Sequence, residues 1–247
     1  MIAGLSLKLL AILWAGAFLG ALAAGGAGFA FALTASAIWL HVLDPIHTTM
    51  LVVTCGTCLH LVLVWPMRRT IEAARLAPFA IGGLVGIPVG IAVLRFADVS
   101  GVKAALGAFL VLYGAYALLA PRLPVVSAGG RGADAAIGFV GGVLGGIGGF
   151  SGVIPTIWTQ LRGWTKERAR GVFQPFILMA HVATMTLLGA VALDWEGAFM
   201  VVAVLPPLAL GTWVGWRIYG RLNEQAFRRV LAGLLLASGL MLAVAGR

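Results

Sequence analysis

The side chains that could do chemistry are few, and they lie in apolar surroundings. His60 and His181 each stand inside a long apolar stretch, where a histidine can donate to an anion or shuttle a proton near neutral pH. Ser151 and Gln174 add donors, as do Thr54, Thr57, Thr184 and Thr186, although a threonine in a membrane helix commonly bonds its own backbone. Cys55 and Cys58 form a CxxC just before His60, and at i, i+3 on a helix the thiols share a face. With His60 they are the ingredients of a soft-metal site; the matching pair opposite would be Met179 with His181. The acids Asp44, Glu72, Asp98, Asp134, Glu167, Asp194, Glu196 and Glu224 all fall in or beside loops, so a paired-carboxylate catalytic site inside an apolar segment has nothing to build on.

Two glycine clusters, Gly25-Gly26-Ala27-Gly28 and Gly145-Gly146-Ile147-Gly148-Gly149, interrupt the apolar stretches that carry them. Glycine costs about 1 kcal/mol per residue in a helix, so each run predicts a break. Non-helical backbone at membrane depth is tolerated only where protein buries it or water reaches it. The half-helix after the second break is expected to start near Ser151, with Pro155 in its first turn. Such a start leaves N–H groups free at the positive end of the helix dipole, which suits an anion. The candidate substrate site is therefore Gly28 and Phe29 from one break and Gly149, Phe150, Ser151 and Gly152 from the other, with His60, His181 and Gln174.

The elements that must position these groups follow from composition. Of 247 residues 61% are hydrophobic and 10% charged, against about half and a quarter in soluble domains. Several apolar stretches reach the roughly 20 residues that cross a bilayer as a helix. The expectation is an all-α, multi-pass protein of the inner cell membrane, with no room for a soluble catalytic or nucleic-acid-binding domain and no call for a cofactor. The net charge of +9 sits in short loops, where it signals topology and contacts anionic lipid. Lys8, an apolar core and Ala21-Leu22-Ala23 imitate a secretory leader, but the repeat described next argues against cleavage.

A shift of 121 residues brings Phe18 onto Phe139, Gly28 onto Gly149, Phe29 onto Phe150, Leu40 onto Leu161 and His60 onto His181. Pro78-x-x-x-Gly82-x-x-x-Gly86 likewise matches Pro207-x-x-x-Gly211-x-x-x-Gly215. The chain thus divides into a first repeat over 1–120, a cytoplasmic linker over 121–133 and a second repeat over 134–247. Each half has about four apolar segments, roughly 8–40, 47–66, 77–95 and 102–120, then 134–161, 171–193, 197–216 and 227–245. The basic loops 67–75, 162–170 and 217–229, holding Arg68, Arg69 and Arg75, then Arg162, Lys166, Arg168 and Arg170, then Arg217, Arg221, Arg228 and Arg229, want the cytoplasm. All three reach it if the broken first segments are re-entrant and the halves are inverted repeats. Inverted halves with broken helices are a transporter plan.

The pattern Gly141-Gly142-x-x-Gly145-Gly146-x-Gly148-Gly149-x-x-Gly152-x-x-Pro155, followed by a basic loop and a helix bearing alanine and threonine, resembles the sulfite exporter TauE/SafE family over nearly the whole chain. The first half departs from it at Phe31 and at Thr34, where the family commonly has proline. The resemblance implies a membrane transporter, commonly an exporter, of sulfite, sulfonates or other small organic anions, with the lipid bilayer as surroundings; a homo-oligomer is compatible with it. The competing expectation is a soft-metal permease using Cys55, Cys58 and His60.

Overall fold

The computed structural model describes residues 6–96, 99–119, 124–192 and 195–245. Asp98, Arg122, Asp194 and Arg247, and the side chains of Glu196 and Glu224, lie outside this description. Ten α-helices follow one another and no strand occurs among the described residues. They are α1 (Leu7–Ala27), α2 (Phe31–Trp39), α3 (Pro45–Met67), α4 (Ala73–Phe96), α5 (Val99–Leu119), α6 (Gly130–Gly148), α7 (Val153–Leu161), α8 (Lys166–Ala192), α9 (Trp195–Tyr219) and α10 (Glu224–Ala245). Five helical stretches, Leu7–Ala27, Pro45–Thr70, Ala73–Phe96, Lys166–Gly189 and Gly197–Tyr219, are long and apolar enough to cross a bilayer.

The breaks are narrower than the glycine clusters suggest. α1 runs through Gly25, Gly26 and Ala27 and stops at Gly28, whose φ of 94° is left-handed and whose N–H donates to the Ala24 carbonyl. α6 likewise runs through Gly145 to Gly148 and stops at Gly149, φ 75°. A left-handed residue closing a helix is the usual role of glycine. The remaining cluster glycines serve close packing instead: a methyl group at Gly25 would fall 2.7 Å from the Thr212 carbonyl oxygen, and one at Gly146 2.5 Å from that of Ile87.

Each short helix returns along its long partner. Trp39 Nε1 donates to the Leu13 carbonyl at 3.2 Å, and Gly20 lies against Phe31, so α2 runs back beside α1. Trp158 Nε1 donates to Asp134 Oδ1 at 2.8 Å and the Val126 N–H to the Leu161 carbonyl at 2.8 Å, so α7 ends where α6 begins. Asp134 is therefore a buried helical residue, because α6 starts at Gly130 rather than at 134. α3 starts two residues earlier than expected because Asp44 caps it, accepting from the Ile46 and His47 N–H groups, with Pro45 in its first turn.

The halves interlock. α4 packs on α6 and α9 on α1, through the glycines of the matched Pro-x-x-x-Gly-x-x-x-Gly motifs: Gly82 and Gly86 meet the carbonyls of Ala135 and Phe139, Gly211 and Gly215 those of Phe18 and Leu22. α3 pairs with α8, and α5 with α10.

The basic loops are tied together at one end of the bundle. Arg168 Nε donates to Glu72 Oε1 at 3.2 Å, Arg75 also bonds Glu72, and Lys166 Nζ donates to the Leu222 carbonyl at 2.5 Å. The Arg75 hydrogen bond, with the charges of Arg75 and Arg168, holds the Glu72 carboxyl below its ordinary value. A carboxylate with a depressed folded pKa stabilises above its unfolded pKa and loses that contribution as pH falls through the folded one. Glu72→Gln is therefore expected to lower the melting temperature slightly at pH 7 and not at all once the carboxyl is protonated, because exposed ion pairs are weak. A melting-temperature difference that persists unchanged into acid would refute the electrostatic account.

Candidate functional site

The two breaks touch at the centre of the bundle. A methyl group at Gly152 would lie 3.1 Å from Cβ of Phe29, and one at Gly149 3.7 Å from Cβ of Ala32. Phe29, Phe150, Ser151 and Gly152 are all buried. Among the described residues the N–H groups of Phe29, Ala30 and Phe31 at the start of α2, and of Ser151 and Gly152 at the start of α7, have no backbone acceptor. Two helix N-termini with free donors thus lie side by side.

One face of α8 spans both breaks. Arg170, Gln174, Ile177 and His181 follow the i, i+4, i+7, i+11 spacing of a helical stripe. A methyl at Gly28 would sit 3.1 Å from Arg170 Nε and 3.1 Å from Gln174 Nε2; one at Gly152 would sit 2.4 Å from Ile177 Cδ1. His181 Nε2 shares a hydrogen bond with the Gly149 carbonyl at 3.1 Å. His60 and His181, the pair matched by the repeat, meet edge to face with ring centroids 5.6 Å apart. Both His60 nitrogens, both amide atoms of Gln174 and the Ser151 hydroxyl are buried without a hydrogen-bond partner. Ser151 itself packs on α6, its Cβ 3.0 Å from where a Gly145 methyl would be.

Arg170 is a candidate site residue that sequence reasoning missed. Counted there among loop charges, it lies in α8 and is fully buried. α8 begins at Lys166, not near 171, with Glu167 in its first turn and the Thr165 carbonyl accepting the Ala169 N–H. Its guanidinium is 3.8 Å from the Tyr219 ring centroid and 5.2 Å from that of Trp216. Its Nη atoms reach the Gly25 and Gly26 carbonyls at 3.3 and 3.5 Å, while Nε has no partner. No carboxylate lies within ion-pair distance of it among the described residues. A cation buried in this way is costly unless compensated, and here two carbonyls, two π faces and a side-chain hydrogen bond with Tyr219 compensate it without a neutralising carboxylate in contact.

The repeat makes that asymmetry legible. The counterpart of Arg170 is Thr49, whose hydroxyl reaches the Ile147 carbonyl at 3.3 Å, and Ile147 is itself the counterpart of Gly26. Phe173 against Gly28 has its counterpart in Val52 against Gly149. The frame is symmetric, and the charge belongs to one side only.

The threonines divide as their chemistry suggests. Thr57 and Thr186 bond the carbonyls of Val53 and Val182 in their own helices, whereas the buried Thr184 hydroxyl has no partner. The cysteines do not share a face: Cys55 is buried and Cys58 exposed. No group of three His, Cys, Asp or Glu side chains placed to hold a metal occurs among the described residues. Cys58 is exposed while Cys55 and His60 are buried in the same helix, so nothing in this arrangement supports the soft-metal expectation.

Bilayer-length apolar helices packed around polar groups at touching helix breaks are the architecture of a multi-pass membrane protein. The sequence matches the profile named Sulfite exporter TauE/SafE over residues 9–242, and the chain belongs to that family. Membership implies a membrane transporter of sulfite-type anions. Searches of curated proteins and of solved structures found no match.

Proposed function

We propose that the chain exports a small sulfur-containing or organic anion, such as sulfite or a sulfonate, across the inner membrane by alternating access between two inverted repeats. The anion sits between the breaks, bound by Arg170, Gln174, His60 and His181 and by the free N–H groups at Phe29, Ala30, Ser151 and Gly152. The observation that carries this reading is the partly compensated charge of Arg170, with its free Nε beside Gly28 and the unpartnered amide of Gln174. An oxyanion there would complete the charge balance and accept from orphaned donors.

The inverted arrangement rests on several contacts. The return of α2 along α1 and of α7 along α6 supports reading each broken segment as a re-entrant hairpin. The ties among loops 67–75, 162–170 and 217–222 gather the basic loops at one end, which supports the cytoplasm as that end's side. Break one then lies level with the start of α8 and break two level with the start of α3, as inverted repeats require.

The test is thermal shift of the full-length protein in neutral detergent against sulfite, thiosulfate, a small sulfonate, a carboxylate and zinc. Ligand at about 100 times its Kd adds about 2.7 kcal/mol, or roughly 5–10 °C for a chain of this size. A sulfur oxyanion is expected to give such a shift, reduced in Gln174→Leu and His181→Ala. Equal shifts in both variants would refute the site, and stabilisation by none of the anions would refute the substrate class.

A further inference from the structure

A wide groove lies outside the anion site. α3 and α9 run side by side, and between them is a cavity of about 370 Å³, open to the surface and lined by Cys58, Val62 and Pro66 on one side and Leu205, Ala209 and Trp213 on the other. Thr212 also borders it, but its hydroxyl donates to the Leu208 carbonyl at 2.7 Å. Apart from the Cys58 thiol and the Trp213 and Trp216 indoles, the rest of the lining is apolar. Its outward surface is that of the membrane-spanning helices, with Val62 and Trp213 63% and 55% exposed.

One end of the groove is cationic. Pro66 and Trp213 stand at the end where α3 and α9 run into their basic loops. Arg68 lies over the Trp65 ring at 4.7 Å and Arg217 over the Trp213 ring at 4.5 Å. Both arginines are exposed, and neither pairs with a carboxylate among the described residues. From Leu205 to Trp216 the helical rise is about 16 Å, close to half of a hydrocarbon core about 30 Å thick. The groove has the depth of one leaflet.

We infer that this groove holds one acyl chain of an anionic phospholipid of the cytoplasmic leaflet, its phosphate between Arg68 and Arg217. Basic rims on apolar clefts between membrane helices are how lipid headgroups are selected. The arginines, each already ordered on a tryptophan face, donate to phosphate oxygens more effectively than lysines would. The choice of leaflet rests on the orientation proposed above, but the site does not depend on the substrate reading, and its test does not involve the substrate.

The experiment is native mass spectrometry and thermal shift of the delipidated full-length protein, offered phosphatidylglycerol or phosphatidylcholine with the same chains. Phosphatidylglycerol is expected to be retained and stabilising, phosphatidylcholine much less so. At about 1 kcal/mol per basic residue near the membrane surface, R68Q/R217Q should weaken phosphatidylglycerol binding by roughly 5-fold per arginine. Ala209→Trp, at an exposed position in the groove, should remove retention of either lipid with both arginines intact. Equal retention of the two lipids, full binding by R68Q/R217Q, or full binding by Ala209→Trp would each overturn the assignment. So would a dimer that Ala209→Trp dissociates, since the groove's occupant would then be a second copy of the chain.

Discussion

Arg170→Met is expected to fold and to lose the anion. Two effects oppose each other in its stability. Removing a buried cation and filling its place with an apolar side chain of similar length is often neutral or stabilising. Leaving the Gly25 and Gly26 carbonyls without a donor costs about 1–3 kcal/mol each when they stay dry. These nearly cancel, so the melting temperature should fall modestly. For binding there is no cancellation: a charge-assisted hydrogen bond contributes about 1.5–3 kcal/mol, and its loss raises the Kd about 10- to 150-fold. Arg170→Lys separates the two roles. Lysine keeps the charge but cannot divide itself between two carbonyls, the Tyr219 ring and the anion, so intermediate affinity with lowered stability is expected. The readouts are anion-induced thermal shift and uptake into vesicles. An Arg170→Met protein that binds and transports normally would make Arg170 a latch for the end of α1 and nothing more.

That residue also marks where sequence reading stopped. The eight apolar segments, the positions of both breaks and the pairing of His60 with His181 were legible because a 121-residue repeat and a helical period leave strong traces. Arg170 was hidden because it closes a run of basic residues, Arg162, Lys166 and Arg168, that reads as a loop although α8 already starts at Lys166. The trace that could have exposed it was its spacing from Gln174 and His181, which places all three on one stripe of a helix starting four residues earlier. Cys58 fell on the lipid side because i, i+3 neighbours differ by 60° around a helix, enough at the edge of a buried stripe to separate Cys55 from it. The glycine clusters carried two messages in one run. Gly28 and Gly149 need a left-handed backbone, while their neighbours need a close approach that only a partner helix reveals.

That close approach makes the second large effect. α4 meets α6 backbone to backbone: a methyl would lie 2.0 Å from the Ala135 carbonyl oxygen at Gly82, 2.2 Å from that of Phe139 at Gly86, and 2.0 Å from that of Val143 at Gly90. The opposing helix repeats the pattern, with Gly138, Gly142 and Gly146 against the carbonyls of Phe79, Gly83 and Ile87. No side chain can turn aside to relieve such a clash, so the helices must separate along their whole contact. Without a hydrophobic driving force between helices in lipid, that packing is what holds them. Overpacking costs about 1–3 kcal/mol for a methyl group, and Gly86→Ala with Gly215→Ala, in separate interfaces, should add. Gly86→Leu is expected to exceed the stability available to a domain of this kind, about 5–15 kcal/mol, once the facing Phe139 carbonyl and Val143 amide are displaced. Gly233→Ala is the control: nothing lies within 4 Å of its added methyl, and the gain in helix propensity is about 1 kcal/mol. Size-exclusion profile and melting temperature in detergent read the result. Because α4 and α6 come from different halves, Gly86→Leu should part the halves and abolish anion binding together with the fold, whereas a Gly86→Leu protein that melts like the parent would mean that α1–α9, α3–α8 and α5–α10 hold the halves without α4–α6.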